Sequence, residues 1–167
     1  METSVSDIYA AGDAVQVKHY VTGTDALISL AGPANKQGRI IADNICGGDS
    51  CYLGSQGSSV IKVFDLTAAV TGINETNAKK AGLDTDTVIL SPMNHAGYYP
   101  GGKVMTIKLV FEKETYRLLG AQIVGYEGVD KRIDVLAVSI HAGLKATQLK
   151  DLELAYAPPY SSAKDPV

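Results

Sequence analysis

From residue 59 to residue 141, short β-type runs and two helical stretches follow one another in an order that leaves few folds open. Runs rich in β-branched and apolar residues at 60–64 and 67–71 read as strands, and the stretch 74–81 reads as a helix that Asn74 caps and Gly82 stops. Further strands are predicted at 87–91, 103–111 and 118–126, the last two joined as a hairpin through 112–116. A second helix is predicted at 129–141, where Ile133, Leu136, Ala137 and Ile140 recur along one helical face and Gly143 stands just past the end. The order ββαβββα implies an α+β fold, an antiparallel sheet with helices on one face.

The first 46 residues carry a different pattern. A short apolar strand at 8–11 is predicted to end at Gly12, which lets the backbone turn tightly and delivers the Asp13 carboxylate at the strand's C-terminal end. A carboxylate so placed suits the hydroxyls of a bound sugar or ribityl chain. A polar stretch, 16–25, leads into Ala26-Leu27-Ile28-Ser29-Leu30, and Ala31-Gly32-Pro33 then opens a helix that runs to about Cys46. Pro33 suits a first helical turn, where its missing N–H costs nothing. Ala34, Ile41, Ala42 and Ile45 are expected to face the core, and Lys36, Gln37, Arg39 and Asp43 to face elsewhere. The helix start at Leu30-Ala31-Gly32 offers free N–H groups and a positive dipole end. The Gly- and Ser-rich stretch that follows marks a boundary, giving residues 1–46, a linker at 47–58, and residues 59–167.

Composition narrows the function classes. A chain of 167 residues with 46% apolar content supports one proper core, or one domain and a piece of another. A net charge of −3 and a pI near 5.5 argue against a nucleic-acid surface, and the longest basic cluster is Lys131-Arg132. No apolar run approaches a membrane span, and Met1-Glu2 opens no signal peptide, so no membrane partner and a cytoplasmic location are expected. No metal site is expected.

The segment Thr3-Ser4-Val5-Ser6-Asp7-Ile8-Tyr9-Ala10-Ala11-Gly12-Asp13 resembles the second flavin-contacting motif of the FAD-dependent pyridine nucleotide-disulfide oxidoreductases. The resemblance implies that Gly12 and Asp13 meet the ribityl chain of FAD, and that the helix start Leu30, Ala31 and Gly32 points at the flavin's pyrimidine edge. The stretches 59–67, 95–101, 128–134 and 154–166 resemble the same family's dimerisation domain, which implies a homodimer. The Gly-x-Gly-x-x-Gly loop that seats the cofactor's pyrophosphate has no counterpart here, so the chain is expected to be a fragment of a longer enzyme. Such a fragment is expected to be inactive and to retain neither FAD nor NAD(P)H.

Details place the resemblance within the family. Cys46 and Cys51 have the spacing of the redox-active disulfide of glutathione- and lipoamide-type reductases, but that pair lies on the first flavin-domain helix. Here the cysteines lie in a Gly-rich linker and are expected to be inert thiols. In place of the two-cysteine reductases' His-Pro-Thr-x-x-Glu motif stands Tyr156-Ala157-Pro158-Pro159-Tyr160, which resembles the single-cysteine branch. That branch holds coenzyme A-disulfide reductases, NADH oxidases, NADH peroxidases and persulfide reductases, and the run 154–166 looks most like the first of these. Electrons would then pass from NAD(P)H through FAD to a cysteine outside this chain and on to coenzyme A disulfide or a related persulfide.

The resemblance further implies that the hydroxyls of Tyr98 and Tyr156 reach across the dimer to the partner's catalytic cysteine and the substrate sulfur, with Tyr99 the competing candidate for Tyr98. Lys164 is implied as a contact to the phosphate or pantetheine side of coenzyme A, while His95 and His141 are expected to be structural. Two alternatives stand beside this reading: an NADH oxidase or peroxidase of the same branch, and a non-catalytic dimerisation or interaction module.

Overall fold

The computed structural model describes all residues, 1–167, as two compact units, Met1–Gly57 and Ser58–Val167. In the first unit, Gly12–Ala14 form a 3-10 turn, β1 (Val17–Lys18) pairs antiparallel with β2 (Asp25–Ala26), and α1 spans Ala31–Ile45. The strand predicted at 8–11 is reduced to one bridge, between Tyr9 and Glu2. Its immediate neighbour is the chain's own start, which doubles back through Asp7 at a φ of 64° so that the Thr3 N–H reaches the Ile8 carbonyl at 2.8 Å. A run with no further strand beside it builds no ladder.

The predicted orientation of α1 also needs correction. Gln37 is its buried residue, 2% exposed, whereas Ile45 is 66% exposed in the last turn. The cause is a polar demand: the Gln37 side-chain oxygen accepts the Gly12 N–H at 2.7 Å, and that donor would otherwise lie part-buried without a partner. Residues 47–57 fold back rather than trail away. The Asn44 side chain accepts from the Ser50 N–H at 2.7 Å and donates to its carbonyl at 3.0 Å, and Ser55 bonds to both Lys18 and Tyr20.

The second unit is a five-stranded antiparallel sheet in the order β3-β4-β7-β6-β5, formed by β3 (Ser59–Val63), β4 (Leu66–Gly72), β5 (Thr85–Leu90), β6 (Thr106–Glu112) and β7 (Leu118–Gly125). Helix α2 (Glu75–Lys80) starts at Asn74, whose side chain accepts from the Asn77 N–H at 2.8 Å, as predicted for an N-cap. Helix α3 (Val129–His141) packs across β4 and β7. The register sets Ala69, Ile123 and Ile107 in one row and Thr71, Ala121 and Leu109 in the next, and all six are buried. The buried Val129, Ile133, Leu136 and Ile140 of α3 complete that core, as their helical spacing requires. The fold is thus α+β, with the antiparallel sheet and helices predicted from the element order.

Candidate functional site

Two irregular segments of the second unit build the site. The first is the connection between β5 and β6. The buried Asn94 closes it: its N–H donates to the Lys103 carbonyl at 2.9 Å, and its side-chain oxygen accepts the Lys103 N–H at 2.8 Å. Inside this closed loop the Tyr99 N–H bonds to the Ala96 carbonyl at 2.9 Å, a turn that carries Gly97 and Tyr98 at its tip. The second segment is the tail. Pro158 and Pro159 sit in a turn whose Tyr160 and Ser161 N–H groups both reach the Ala157 carbonyl, at 2.9 and 3.1 Å, and the Ser161 hydroxyl donates to the Ala155 carbonyl at 3.2 Å. Tyr156 stands between those two carbonyls in sequence.

Loop and tail meet directly. The Ala96 N–H donates to the Ser161 carbonyl at 3.0 Å, and the Tyr98 and Tyr156 hydroxyl oxygens lie 2.9 Å apart. Both rings face outward, Tyr98 76% and Tyr156 46% exposed. The hydrogen bond to Tyr98 raises the Tyr156 pKa above the ordinary phenol value, because it favours the neutral form, and partial desolvation acts the same way. At neutral pH Tyr156 therefore keeps its proton. Two phenols sharing one hydrogen bond still have one O–H to give to an anion beyond them.

The structure thus brings together two of the residues singled out from the sequence. Tyr99 points elsewhere, its ring edge-on to the buried His95 at 5.6 Å. Lys164 is exposed in the tail, where its carbonyl accepts the Ser162 hydroxyl. In the first unit, Gly12 takes a φ of 72° and packs against the first turn of α1, so that an added Cβ would lie 3.8 Å from the Ala34 methyl. Asp13 is exposed beside that turn, and Leu30, Ala31 and Gly32 open α1 with no side-chain cap on its N–H groups. An exposed carboxylate beside uncapped helix N–H groups fits one flank of a flavin, the first as acceptor for ribityl hydroxyls and the second as donors to carbonyl oxygens. Cys46 and Cys51 are both exposed free thiols. No three His, Cys, Asp or Glu side chains gather as a metal site.

Sequence reasoning missed the buried network that ties the Tyr98 loop and the Tyr156 tail to α3. Arg132, wholly buried on α3, donates from Nε and Nη2 to the two carboxylate oxygens of Asp165 at 3.1 and 3.0 Å, from Nη1 to the Gly128 carbonyl at 3.0 Å, and from Nη2 to the Asn94 carbonyl at 2.9 Å. Gly128, at a φ of 74°, leaves room for this fork, since a Cβ there would lie 2.5 Å from Nη1. The Gly at 128 followed four residues later by Arg is the only trace of it in the sequence. Also unforeseen is a cleft of about 320 Å³ lined by Lys62, Asp65, Asn94, Lys103, Tyr126 and Glu127, in which the Lys103 ammonium lies 4.2 Å from the Tyr126 ring centre.

An antiparallel five-stranded sheet backed by a long helix, with a tyrosine-bearing tail laid against it, is the architecture of an oxidoreductase dimerisation domain. The chain belongs to the pyridine nucleotide-disulphide oxidoreductases, and residues 58–166 match that family's dimerisation domain. The family works with FAD and NAD(P)H. The NAD(P)H sulfur oxidoreductase (CoA-dependent) of Pyrococcus abyssi is 40% identical over 167 residues, all of this chain and 37% of that protein. The coenzyme A disulfide reductase of Staphylococcus epidermidis is 37% identical over 165 residues, 98% of this chain and 37% of that protein. Among solved structures, a NAD-dependent persulfide reductase from A. fulgidus superposes with a TM-score of 0.96 at 49% identity, over 99% of this chain and 31% of that one. The chain therefore spans about 37% of the length of these curated relatives. No helix is long and apolar enough to cross a membrane.

Proposed function

We propose that this chain is part of a homodimeric, single-cysteine oxidoreductase that uses NAD(P)H and FAD to reduce coenzyme A disulfide or a related persulfide. In this reading residues 1–46 close the FAD-binding domain and residues 59–167 pair the two subunits. Support comes from the names of the relatives above, from their greater length, and from the chemistry of the tyrosine pair. The observation that carries the reading is the 2.9 Å contact between two exposed hydroxyls from segments 58 residues apart.

Bound FAD supplies the two-electron relay from the nicotinamide to sulfur. In the overall reaction NAD(P)H and one proton convert one disulfide into two thiols. When a cysteine thiolate bonds to one sulfur of coenzyme A disulfide, the S–S bond breaks and the second sulfur leaves with the electron pair. Of Tyr98 and Tyr156 one hydroxyl donates to the other, and the one O–H the pair has left donates to that leaving thiolate. Lys164 offers an ammonium to the phosphates of the leaving coenzyme A. The Asp13 carboxylate and the uncapped N–H groups of Ala31 and Gly32 at the α1 start would hold the flavin, with Gly12 and Leu30 shaping the turn and the helix start beside them.

The test is steady-state disulfide reduction by the intact enzyme carrying Tyr156→Phe, Tyr98→Phe or both, with Tyr99→Phe as control. Each replacement keeps the ring and removes a bond to a charged sulfur worth about 1.5 to 3 kcal/mol, so turnover should fall roughly ten- to a hundred-fold. The double variant should lose less than the product of the singles, because both hydroxyls serve one sulfur. Unchanged turnover in both single variants would leave the rings as interface packing and sink the reading.

A further inference from the structure

We infer that the buried Arg132–Asp165 pair is the positioning element of the site, the clip that sets the Tyr98 and Tyr156 hydroxyls at hydrogen-bonding distance. The inference rests on the reading of those two hydroxyls as donors to the substrate sulfur. One guanidinium reaches three segments at once: the start of α3 through Gly128, the Tyr98 loop through Asn94, and the Tyr156 tail through Asp165. Asn94 lies four residues before Tyr98, and its other polar groups close the loop on Lys103. Asp165 lies nine residues after Tyr156, and Lys131 adds a second hold on the tail by donating to the Ala155 carbonyl at 3.5 Å. The Ala96–Ser161 bond joins loop to tail, but only Arg132 fixes both of them to the helix.

A purely stabilising role does not account for this arrangement. Desolvation largely offsets the attraction within an ion pair this deep, and well-packed apolar side chains serve stability as well or better. Apolar side chains lack direction. A planar fork with four donor contacts at 2.9 to 3.1 Å fixes the angle as well as the distance of each segment it holds. For two rings that are themselves exposed, that direction, passed on through the loop and the tail, is what keeps one hydroxyl beside the other.

The test uses the intact enzyme with 3-fluorotyrosine placed at position 156 alone, read by 19F NMR across a pH series, together with turnover and thermal midpoint. In the otherwise unaltered enzyme the 156 phenol should titrate above an exposed fluorotyrosine, and Tyr98→Phe should bring it down. Asp165→Asn and Arg132→Lys, which keep size or charge but lose the paired fork, should bring it down in the same direction and cut turnover about tenfold or more, with KM for NAD(P)H unchanged. If either variant folds and its 156 titration stays where the unaltered enzyme has it, while only the thermal midpoint falls, the pair is structural and the inference is overturned. Wild-type turnover in Tyr98→Phe and Tyr156→Phe fails the proposed function instead, and the titration still decides the clip.

Discussion

Gly120→Ala is expected to be among the most damaging single-methyl changes in the second unit. Gly120 pairs with Gly72 where β7 passes the end of β4, and the next residue, Ile73, donates its N–H to the Leu119 carbonyl at 2.9 Å. A Cβ built on Gly120 would lie 1.9 Å from the Ile73 carbonyl oxygen, 2.7 Å from its nitrogen and 2.8 Å from its carbonyl carbon, all of them backbone atoms. Relief to even a tight 3.0 Å contact needs about 1.1 Å of backbone movement. Such a shift strains or breaks the Ile73–Leu119 bond, worth about 1 kcal/mol, and leaves buried polar groups short of partners at about 1 to 3 kcal/mol. Overpacking of the added methyl adds about 1 to 3 kcal/mol. The expected loss is about 3 to 7 kcal/mol. Gly143→Ala is the control: no atom lies within 4 Å of its added Cβ, but its φ is 70°, so the cost is backbone strain alone, about 1 to 2 kcal/mol. Urea denaturation followed by circular dichroism measures both, the slope m reporting whether the same surface is exposed. A loss below about 1 kcal/mol for Gly120→Ala, or one no larger than that of Gly143→Ala, would refute the argument from backbone contact.

Two smaller effects have definite signs. Phe64, at the tip of the β3–β4 hairpin, combines a φ of 52° with 93% exposure, so Phe64→Gly relieves backbone strain while giving up almost no packing. Strain of about 1 to 2 kcal/mol, set against about 0.5 to 1 kcal/mol for the added freedom of glycine in the unfolded chain, predicts a small net stabilisation, and a lower urea midpoint would contradict it. Asp25 has its pKa lowered, chiefly by its side-chain hydrogen bond with Lys18 at 2.5 Å across β1 and β2. The contribution of that bond is therefore present above the ordinary carboxylate pKa and fades as pH falls through the depressed folded value. Carboxyl 13C titration should show Lys18→Met returning Asp25 toward its usual range.

What was legible in the sequence was what repeats. The spacing of Ile133, Leu136 and Ile140 fixes the inner face of α3, and the order of short strands around two helices fixes an antiparallel sheet, because burial imposes a period on each element. Gln37 and Arg132 break the same rule. Polar or charged residues within a helical pattern read as solvent-facing, and both are buried here because a distant backbone group or carboxylate needs them: Gly12 across 25 residues, Asp165 across 33. Pairings of that kind leave no periodic trace. The strand predicted at 8–11 failed for the complementary reason, since its apolar pattern is real but the segment has only Glu2 to bridge.

The candidate site divides along the same line. Tyr98 and Tyr156 were visible as residue types within motifs, but their meeting depends on a loop and a tail that contain neither strand nor helix at the two rings. Irregular backbone cannot hold two side chains at a chosen distance by its own hydrogen-bond ladder, so the order must come from side chains bonded to backbone beneath them. Asn94, Arg132 and Ser161 supply it, and all three are buried, while the rings they support are exposed. A site built this way turns two hydroxyls outward while the side chains that order their segments stay inside the fold.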